Sequence, residues 1–531
     1  MKNFKHTICV IGASLLMMSC TDNYKEWNTN PNEVPQELLT GLMKIGNFFP
    51  AMQMDVIPSS DVDANEYQRA QNLCGDMHAG YATPIGEWGT SNATHYNLRY
   101  DNWNNEAFKV AYTKVLPAWK QIRDNGAEEF PEAYAVAQIL KVTAMHRITD
   151  IYGPLPYLKF GHGGLETPYD SQEAIYRSFF VDLNNAIHEL EDYIQRHPGS
   201  KPLSKYDLVY KGDFTQWIKF ANSLKLRLAM RTCYVDGFEV EGKTSQTLAE
   251  EAVRDGVITD NEDNAMLTSG NGISVFNPWK ICWDSYADVR MSANMESFLI
   301  GYKDDRISKY FQESEYDDNG SKYHGARLGN TITSKDDYKK LSAPNIFAET
   351  PIQWMCAAEM YFLRAEGVIR GWNMDGNAKE LYEEGIRKSF EQRGASLGYY
   401  LTEENLPAAF TAVVGSGGVP AGSSDLSKIT VPWNEDVDFE IKLERIITQK
   451  WLAMYPEGQE AWSEYRRTGY PKLFIGLKNS SSGEVERGSG PRRIPYPSTE
   501  YDTNTAEVTK AVNEFLGGND YGKVKLWWDK K

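Results

Sequence analysis

The stretch from Trp354 to Gly394, WMCAAEMYFLRAEGVIRGWNMDGNAKELYEEGIRKSFEQRG, narrows the folds open to this chain more than any other. Its first half places Ala358, Tyr361, Phe362 and Ala365 at three- and four-residue spacing, the apolar stripe of a buried helix. Asn373 to Asn377 is a polar break containing glycine. The second half resumes the stripe with Ala378, Leu381, Tyr382, Gly385, Ile386 and Phe390. Small residues alternate with aromatic ones, so two helices can approach closely while rings fill the gaps. Tetratricopeptide-type hairpins pack this way, although the period here is loose. On periodicity alone the stretch fits either a repeat unit or an ordinary hairpin of an α domain.

The chain has 531 residues, 41% hydrophobic and 24% charged, the composition of a globular protein with material for a large core. Its formal net charge of −17 argues against a nucleic-acid surface, which needs a basic patch. The same charge disfavours attraction to anionic lipid headgroups. Fourteen Trp and 31 Tyr point to rings at binding surfaces as well as in the core.

The N-terminus reads as an export signal. Lys2 and Lys5 form a positive start, and Thr7 to Met18 is apolar but too short to span a bilayer as an ordinary helix. Leu16-Met17-Met18-Ser19-Cys20 then resembles a bacterial lipoprotein signal, with residues 1–19 removed and Cys20 becoming the lipidated first residue. Met17 is a looser choice than Leu at its position, and a simple secretory signal with an incidental Cys20 is the alternative. Loss of the two lysines takes the net charge from −17 to −19. After Cys20, residues 20–35 form a polar tether with a turn at Asn30-Pro31. Cys74, Cys233, Cys282 and Cys356 remain, widely spaced and with no C-x-x-C, so buried free thiols are expected.

Helical patterning covers about residues 36–80, 105–260, 351–395 and 440–470. The clearest elements are Gln172 to Gln195, with Ile175, Phe179, Leu183, Ile187 and Leu190 in register, and Phe214 to Arg231, with Asp213 as N-cap. Between them lie loop-rich inserts at about 81–104, 260–350 and 395–440, the middle one containing a single expected helix at Ser292 to Gly301. Non-periodic stretches of this length usually carry function.

Several segments together resemble the SusD/RagB family of Bacteroidetes surface nutrient-binding lipoproteins. They are Asn28-Thr29-Asn30-Pro31-Asn32, Asp150 to Tyr157 (DIYGPLPY), Gly212-Asp213-Phe214 with Trp217, and Ala221 to Leu224. The hairpin adds Glu359, Leu363, Arg364-Ala365-Glu366 and Gly371-Trp372, followed by Trp462 to Pro471 (WSEYRRTGYP) and Arg492 to Pro497 (RRIPYP). Each is weak alone, but they run along nearly the whole chain in consistent order. The resemblance implies a mostly α fold on four tetratricopeptide-like hairpins, one SusD-like domain over 36–531, with a loop-rich ligand-binding portion. It also implies an outer-membrane lipoprotein anchored through Cys20, facing the cell exterior, with Asp22 fitting the export signal of such proteins. The implied partner is a SusC-like TonB-dependent outer-membrane barrel. The membrane is then touched only through the lipid, and no nucleic acid is involved.

Sugar recognition needs flat apolar faces for ring C–H surfaces, and polar side chains for hydroxyls. Two loops hold that mixture. In Tyr81 to Trp103, Trp88, Tyr96 and Trp103 sit among Asn92, Asn97, Arg99 and Asp101. In Asn277 to Arg290, Trp279, Trp283 and Tyr286 sit beside Asp284, Asp288 and Arg290. For any single ring, packing of a loop onto the helical body is the simpler reading; each group as a whole is expected to supply at least one contact. Arg466-Arg467 and Arg492-Arg493 are expected to pair with carboxylates and fix helix packing rather than to bind anions. Catalysis has no motif to stand on: H-E-x-x-H, G-x-S-x-G and a P-loop are all absent, and eight His show no ligand spacing. Asp61-x-Asp63-x-Asn65 begins like a calcium loop but has Glu66 where Gly is needed. No cofactor is implied, although the acidic loops leave room for a structural Ca²⁺ or Mg²⁺. The sequence therefore reads as a non-catalytic glycan-binding lipoprotein that feeds a transporter. A peptide-binding RagB-like protein and a surface glycoside hydrolase are the alternatives.

Overall fold

The computed structural model describes residues 41–59, 64–163, 166–317 and 320–531. The signal at 1–19, Cys20, the tether at 20–35 and the Asp61 and Asp63 pair lie outside them. What is described is mostly α, as the periodicity predicts. After α1 (Phe48–Val56) comes a π-helical segment, Gln68–Asp76, and then the antiparallel pair α2 (Leu116–Gly126) and α3 (Pro131–Tyr152). Next are α4 (Gln172–Arg196), α5 (Phe214–Arg231), α6 (Ser245–Asp255) and α7 (Ala293–Gly301). The opening stretch forms α8 (Ala357–Ile369) and α9 (Ala378–Arg393), followed by α10 (Phe439–Met454), α11 (Gly458–Thr468) and α12 (Thr505–Phe515). Helices α2 with α3, α5 with α6 and α8 with α9 pack as successive tetratricopeptide-like hairpins, and α4 lies against both α3 and α5.

Local chemistry sets the helix ends. The Asp213 side chain accepts from the Thr215 and Gln216 amides at 3.1 and 3.4 Å, as its N-cap position predicts. Ser171, Thr244, Ser292 and Asn377 cap α4, α6, α7 and α9 in the same way. Within the α8–α9 hairpin the approach is close: a Cβ on Gly385 would lie 2.9 Å from the Phe362 ring. Helix α6 falls within the 105–260 stretch read as helical, whereas α12 lies beyond every stretch so read.

Six short strands occur among the described residues: β1 (Ala82–Pro84), β2 (Glu239–Val240), β3 (Lys243–Thr244), β4 (Ala265–Leu267), β5 (Val289–Met291) and β6 (Ile352–Met355). They pair as β1–β5, β2–β3 and β4–β6, all antiparallel. One continuous buried cluster runs from Ile45 to Trp528.

Buried ion pairs run through the middle of the helical body. Arg227 on α5 forks onto Glu359 of α8 at 2.8 and 2.6 Å, and Arg231 binds Glu460 and Glu464 of α11. Lys450 of α10 reaches Glu464 at 3.0 Å. Arg467 grips Glu366 with two 2.7 Å bonds and Glu464 with two more, at 2.9 and 2.7 Å. Burial works against ionising Glu464, but Arg467, Lys450 and Arg231 outweigh it and hold the carboxyl well below the usual range. Of the arginine pairs in the sequence, Arg467, Arg492 and Arg493 bind carboxylates as expected, whereas Arg466 packs by donating to backbone carbonyls and the Ser463 hydroxyl. Arg466 donates to the Asp150 carbonyl at 2.6 Å, Arg493 pairs with Asp520, and Arg492 with Asp529. Asp150 Oδ1 in turn accepts from Tyr176 and Trp528 at 2.7 and 2.8 Å. Of the segments that carried the resemblance, Asp150 to Tyr157, Glu359 to Glu366, Trp462 to Pro471 and Arg492 to Pro497, far apart in sequence, each supply a residue to these contacts.

Candidate ligand-binding surface

The β1–β5 ladder brings the two aromatic loops together. Thr83 faces Arg290, Pro84 faces Val289, and the Ile85 amide donates to the Asp288 carbonyl at 2.6 Å. Because the strands are antiparallel, the residues leaving β1 run beside those entering β5, so Trp88 and Tyr286 emerge at the same end of the ladder. Lys335 ties the two sides: its amide donates to Glu87, and its ammonium donates to the Tyr286 carbonyl and to Asp288.

On the first side Trp88, Trp103 and Tyr100 form an edge-to-face cluster. Ring centroids lie 4.9 Å apart for Trp88 and Trp103 and 4.8 Å apart for Tyr100 and Trp103, and the Arg69 guanidinium sits 5.9 Å from the Trp103 ring. Trp88 folds back over Gly86, where a Cβ would lie 2.2 Å from the indole, so this glycine is required for the ring's position. Asp101 and Asn102, both exposed, take consecutive left-handed conformations with φ of 48° and 54°. Such strain persists only where the surroundings impose it, and it gathers at sites that act. All three rings of this cluster are half-buried, each keeping part of its surface in solvent.

On the second side, a single π-helical turn, Ile281–Ser285, presents Trp283. Its indole N–H donates to the Ile346 carbonyl at 2.7 Å, Lys280 lies 4.4 Å from the ring centre, and the residue is only 9% exposed. Phe347 packs edge-on against Trp283 at 6.1 Å and is itself 45% exposed. Asp284 is exposed and paired with Lys280 at 2.6 Å, and Tyr286 is half-buried.

Three residues expected at this surface are instead in the core. Tyr96 is 5% exposed and its hydroxyl accepts from the Gly476 amide. Trp279 is 2% exposed, set under the π turn against Tyr67. Arg290 is buried in β5, and its guanidinium donates to the Lys339, Trp283 and Val289 carbonyls; burial pulls its pKa down to about 10. None of the three offers a face or a rim group to solvent. Their type and loop position matched their neighbours, and only the packing separates them. Tyr100, Arg69, Lys335 and Phe347 join the surface unforeseen; Tyr100 lay within the first loop, whereas Phe347 had no aromatic neighbour to signal it.

Among the described residues no group of three or more His, Cys, Asp or Glu side chains is placed to hold a metal ion. Cys74, Cys282 and Cys356 are buried free thiols, and the free thiol Cys233 is partly buried. No described helix is long and apolar enough to cross a membrane.

Comparison with known proteins gives the class. A family model described as SusD-like, "Susd and RagB outer membrane lipoprotein", matches residues 26–529. The chain therefore belongs to the SusD/RagB family of outer-membrane lipoproteins. Among solved structures, a chitin-binding SusD homologue from Flavobacterium johnsoniae is 38% identical with a TM-score of 0.83, over 92% of this chain and 99% of that one. A SusD homologue from Bacteroides thetaiotaomicron is 37% identical with a TM-score of 0.82, again over 92% and 99%. A further chitin-binding protein is 26% identical with a TM-score of 0.70, over 91% of this chain and 100% of that one. No curated protein sequence matches the chain.

Proposed function

We propose that this protein binds an oligosaccharide or polysaccharide without cleaving it and passes it to a SusC-like TonB-dependent outer-membrane barrel. The observation that carries the reading is the convergence of two aromatic loops at one end of the β1–β5 ladder, with Trp88, Trp103 and Tyr286 the retained ring candidates, Tyr100 and Phe347 added, and Trp283, itself buried, backing Phe347 edge-on. Half-buried rings fixed by edge-to-face contacts present apolar surface at little entropic cost. Of the carboxylates nearby, Asp284 is paired with Lys280, and Asp288 with Lys335. Pairing of this kind suits hydroxyl recognition better than acid–base work on a glycosidic bond, which needs a protonated and an ionised carboxyl across the scissile bond. Cys20 would carry the lipid that holds the protein at the outer membrane, facing the exterior. The chitin-binding relative makes N-acetylglucosamine oligomers the first ligands to try.

Calorimetric titration with chitohexaose, maltoheptaose and a casein-derived peptide pool, alongside a reducing-end assay, tests the reading. Saccharide binding without new reducing ends is expected, with Trp88→Ala combined with Phe347→Ala weakening it about tenfold or more, about 1.4 kcal/mol. Phe347 replaces Trp283 in this test because truncating a ring so enclosed would disturb the fold itself. Binding of peptide alone would select the RagB-like alternative, and new reducing ends would select a hydrolase.

A further inference from the structure

We infer that a second binding site for a neutral, hydroxyl-rich chain lies on the far side of the segment 345–351, in a groove of about 540 Å³ between the β4–β6 pair and the C-terminal end of α9. The inference rests on the saccharide reading above and extends it to a longer ligand. The groove's polar lining is dominated by carboxamides: Asn261, Asn264, Asn345, Gln353 and Gln392, with Arg393 beside them. A carboxamide carries both a donor pair and an acceptor and has no charge to desolvate, which matches sugar hydroxyls better than an anion or a cation. The charges at its mouth are of both signs, Glu262 and Glu391 against Lys309, so the rim selects neither.

The lining is also incompletely satisfied. Gln353 Oε1 accepts from Gln392 Nε2 at 2.7 Å and from Arg393 at 3.1 Å, while Gln353 Nε2 donates to the Met454 carbonyl at 3.1 Å. That leaves Gln392 Oε1 and Arg393 Nε, both buried, without a hydrogen-bond partner among the described residues. Buried polar atoms nearly always find partners, so an orphan acceptor and an orphan N–H on two consecutive lining residues mark bonds that the fold itself does not complete. Arg393 cannot swing away to find them, because its guanidinium lies over Tyr310 at 5.3 Å and donates to the Tyr455 carbonyl.

One segment of chain separates the groove from the aromatic surface. Ile346 lines it, and the carbonyl of the same residue accepts the Trp283 indole N–H. Phe347, the next residue, stands exposed on the other side. A chain lying across Trp88 and Phe347 would need to cross only this one segment to enter the groove.

The test titrates chito-oligosaccharides from dimer to octamer into three folded proteins: wild type, Asn345→Ala with Gln392→Ala, and Trp88→Ala with Phe347→Ala. Asn345 touches its neighbours through its backbone amide, which donates to the Tyr310 carbonyl, so the side-chain change leaves that bond in place. Thermal melts check that all three are folded, and Asn345→Ala alone serves if the pair is not. Wild-type affinity is expected to keep rising with length, whereas the groove variant reaches a plateau, at least fivefold weaker for the octamer and unchanged for the dimer. Groove-variant and wild-type curves that coincide at every length would overturn the second site while leaving the aromatic surface standing. A wild type that binds neither this series nor the malto-oligosaccharides of the same lengths overturns both readings together.

Discussion

Asp76 shows how far a single side chain here departs from its solution behaviour. It ends the π-helical segment fully buried, accepting from Gln71 at 2.8 Å and from the Gly458 amide at 3.1 Å. Burial pushes its pKa from the ordinary 3.8 to about 8, with the Gln71 bond opposing and the charge of Glu457 adding. An unfolded chain releases this proton near pH 4, while the folded one keeps it to about pH 8, so the folded state holds the extra proton between those values. The contribution of Asp76 to stability is therefore full below about pH 4 and is lost as pH rises towards 8. Asp76→Asn, which stays neutral, should gain in melting temperature relative to wild type between pH 5 and pH 8; parallel curves would contradict this. Nothing in the sequence distinguishes Asp76 from the other acidic residues, because its shift comes first from burial, with the charge of Glu457 adding, and both exist only once the chain has folded around it. The aromatic loops teach the same lesson. Residue type and loop composition made Trp88 and Trp103 legible as surface candidates, yet gave Tyr96 and Trp279 the same reading, and only the Gly476 loop and Tyr67 decide that those two are inside.

Helices were the most legible elements, since a four-turn stripe needs no knowledge of its partner. Phe214–Arg231 matches its expected limits, and Asp213 caps it as its position implied. Helix α6 lay within the stretch read as helical but its limits were not legible, because its apolar residues, Leu248, Ala249 and Ala252, are few and small, though Thr244 marks its start. The π segments leave no periodic signature. What holds the helices to one another was only half legible: Arg466, Arg467, Arg492 and Arg493 read as packing cations, but their partners lie up to several hundred residues away. Arg467 joins α11 to α8 through Glu366, and both side chains are fully buried. Removing one member of such a pair strands the other's charge in a low-dielectric interior. Arg467→Met should therefore cost about 3–5 kcal/mol in denaturant unfolding. A loss under about 1 kcal/mol would show that Arg370, which also binds Glu366, compensates.

Taken whole, the molecule divides its labour between a helical body and the loops it carries. The hairpin at Trp354 to Gly394, which periodicity left between repeat unit and ordinary pair, is one of several packed hairpins, and its Arg364 and Glu366 are structural: Arg364 donates to the Met374 and Asp375 carbonyls. The order of matching segments made the family legible, and residues from them such as Asp150, Arg466 and Tyr496 are fixed by buried contacts between distant parts of the chain. The candidate surface was legible only as two loops, since the β1–β5 ladder that joins them spans just three residues per strand, too short to leave a pattern. The most direct test is a crystal structure of the full folded chain soaked with the saccharide that titrates tightest. Saccharide density across Trp88 and Phe347 at the end of the β1–β5 ladder is the result predicted. Density only against the helical hairpins, with the rings of that surface bare, would contradict it.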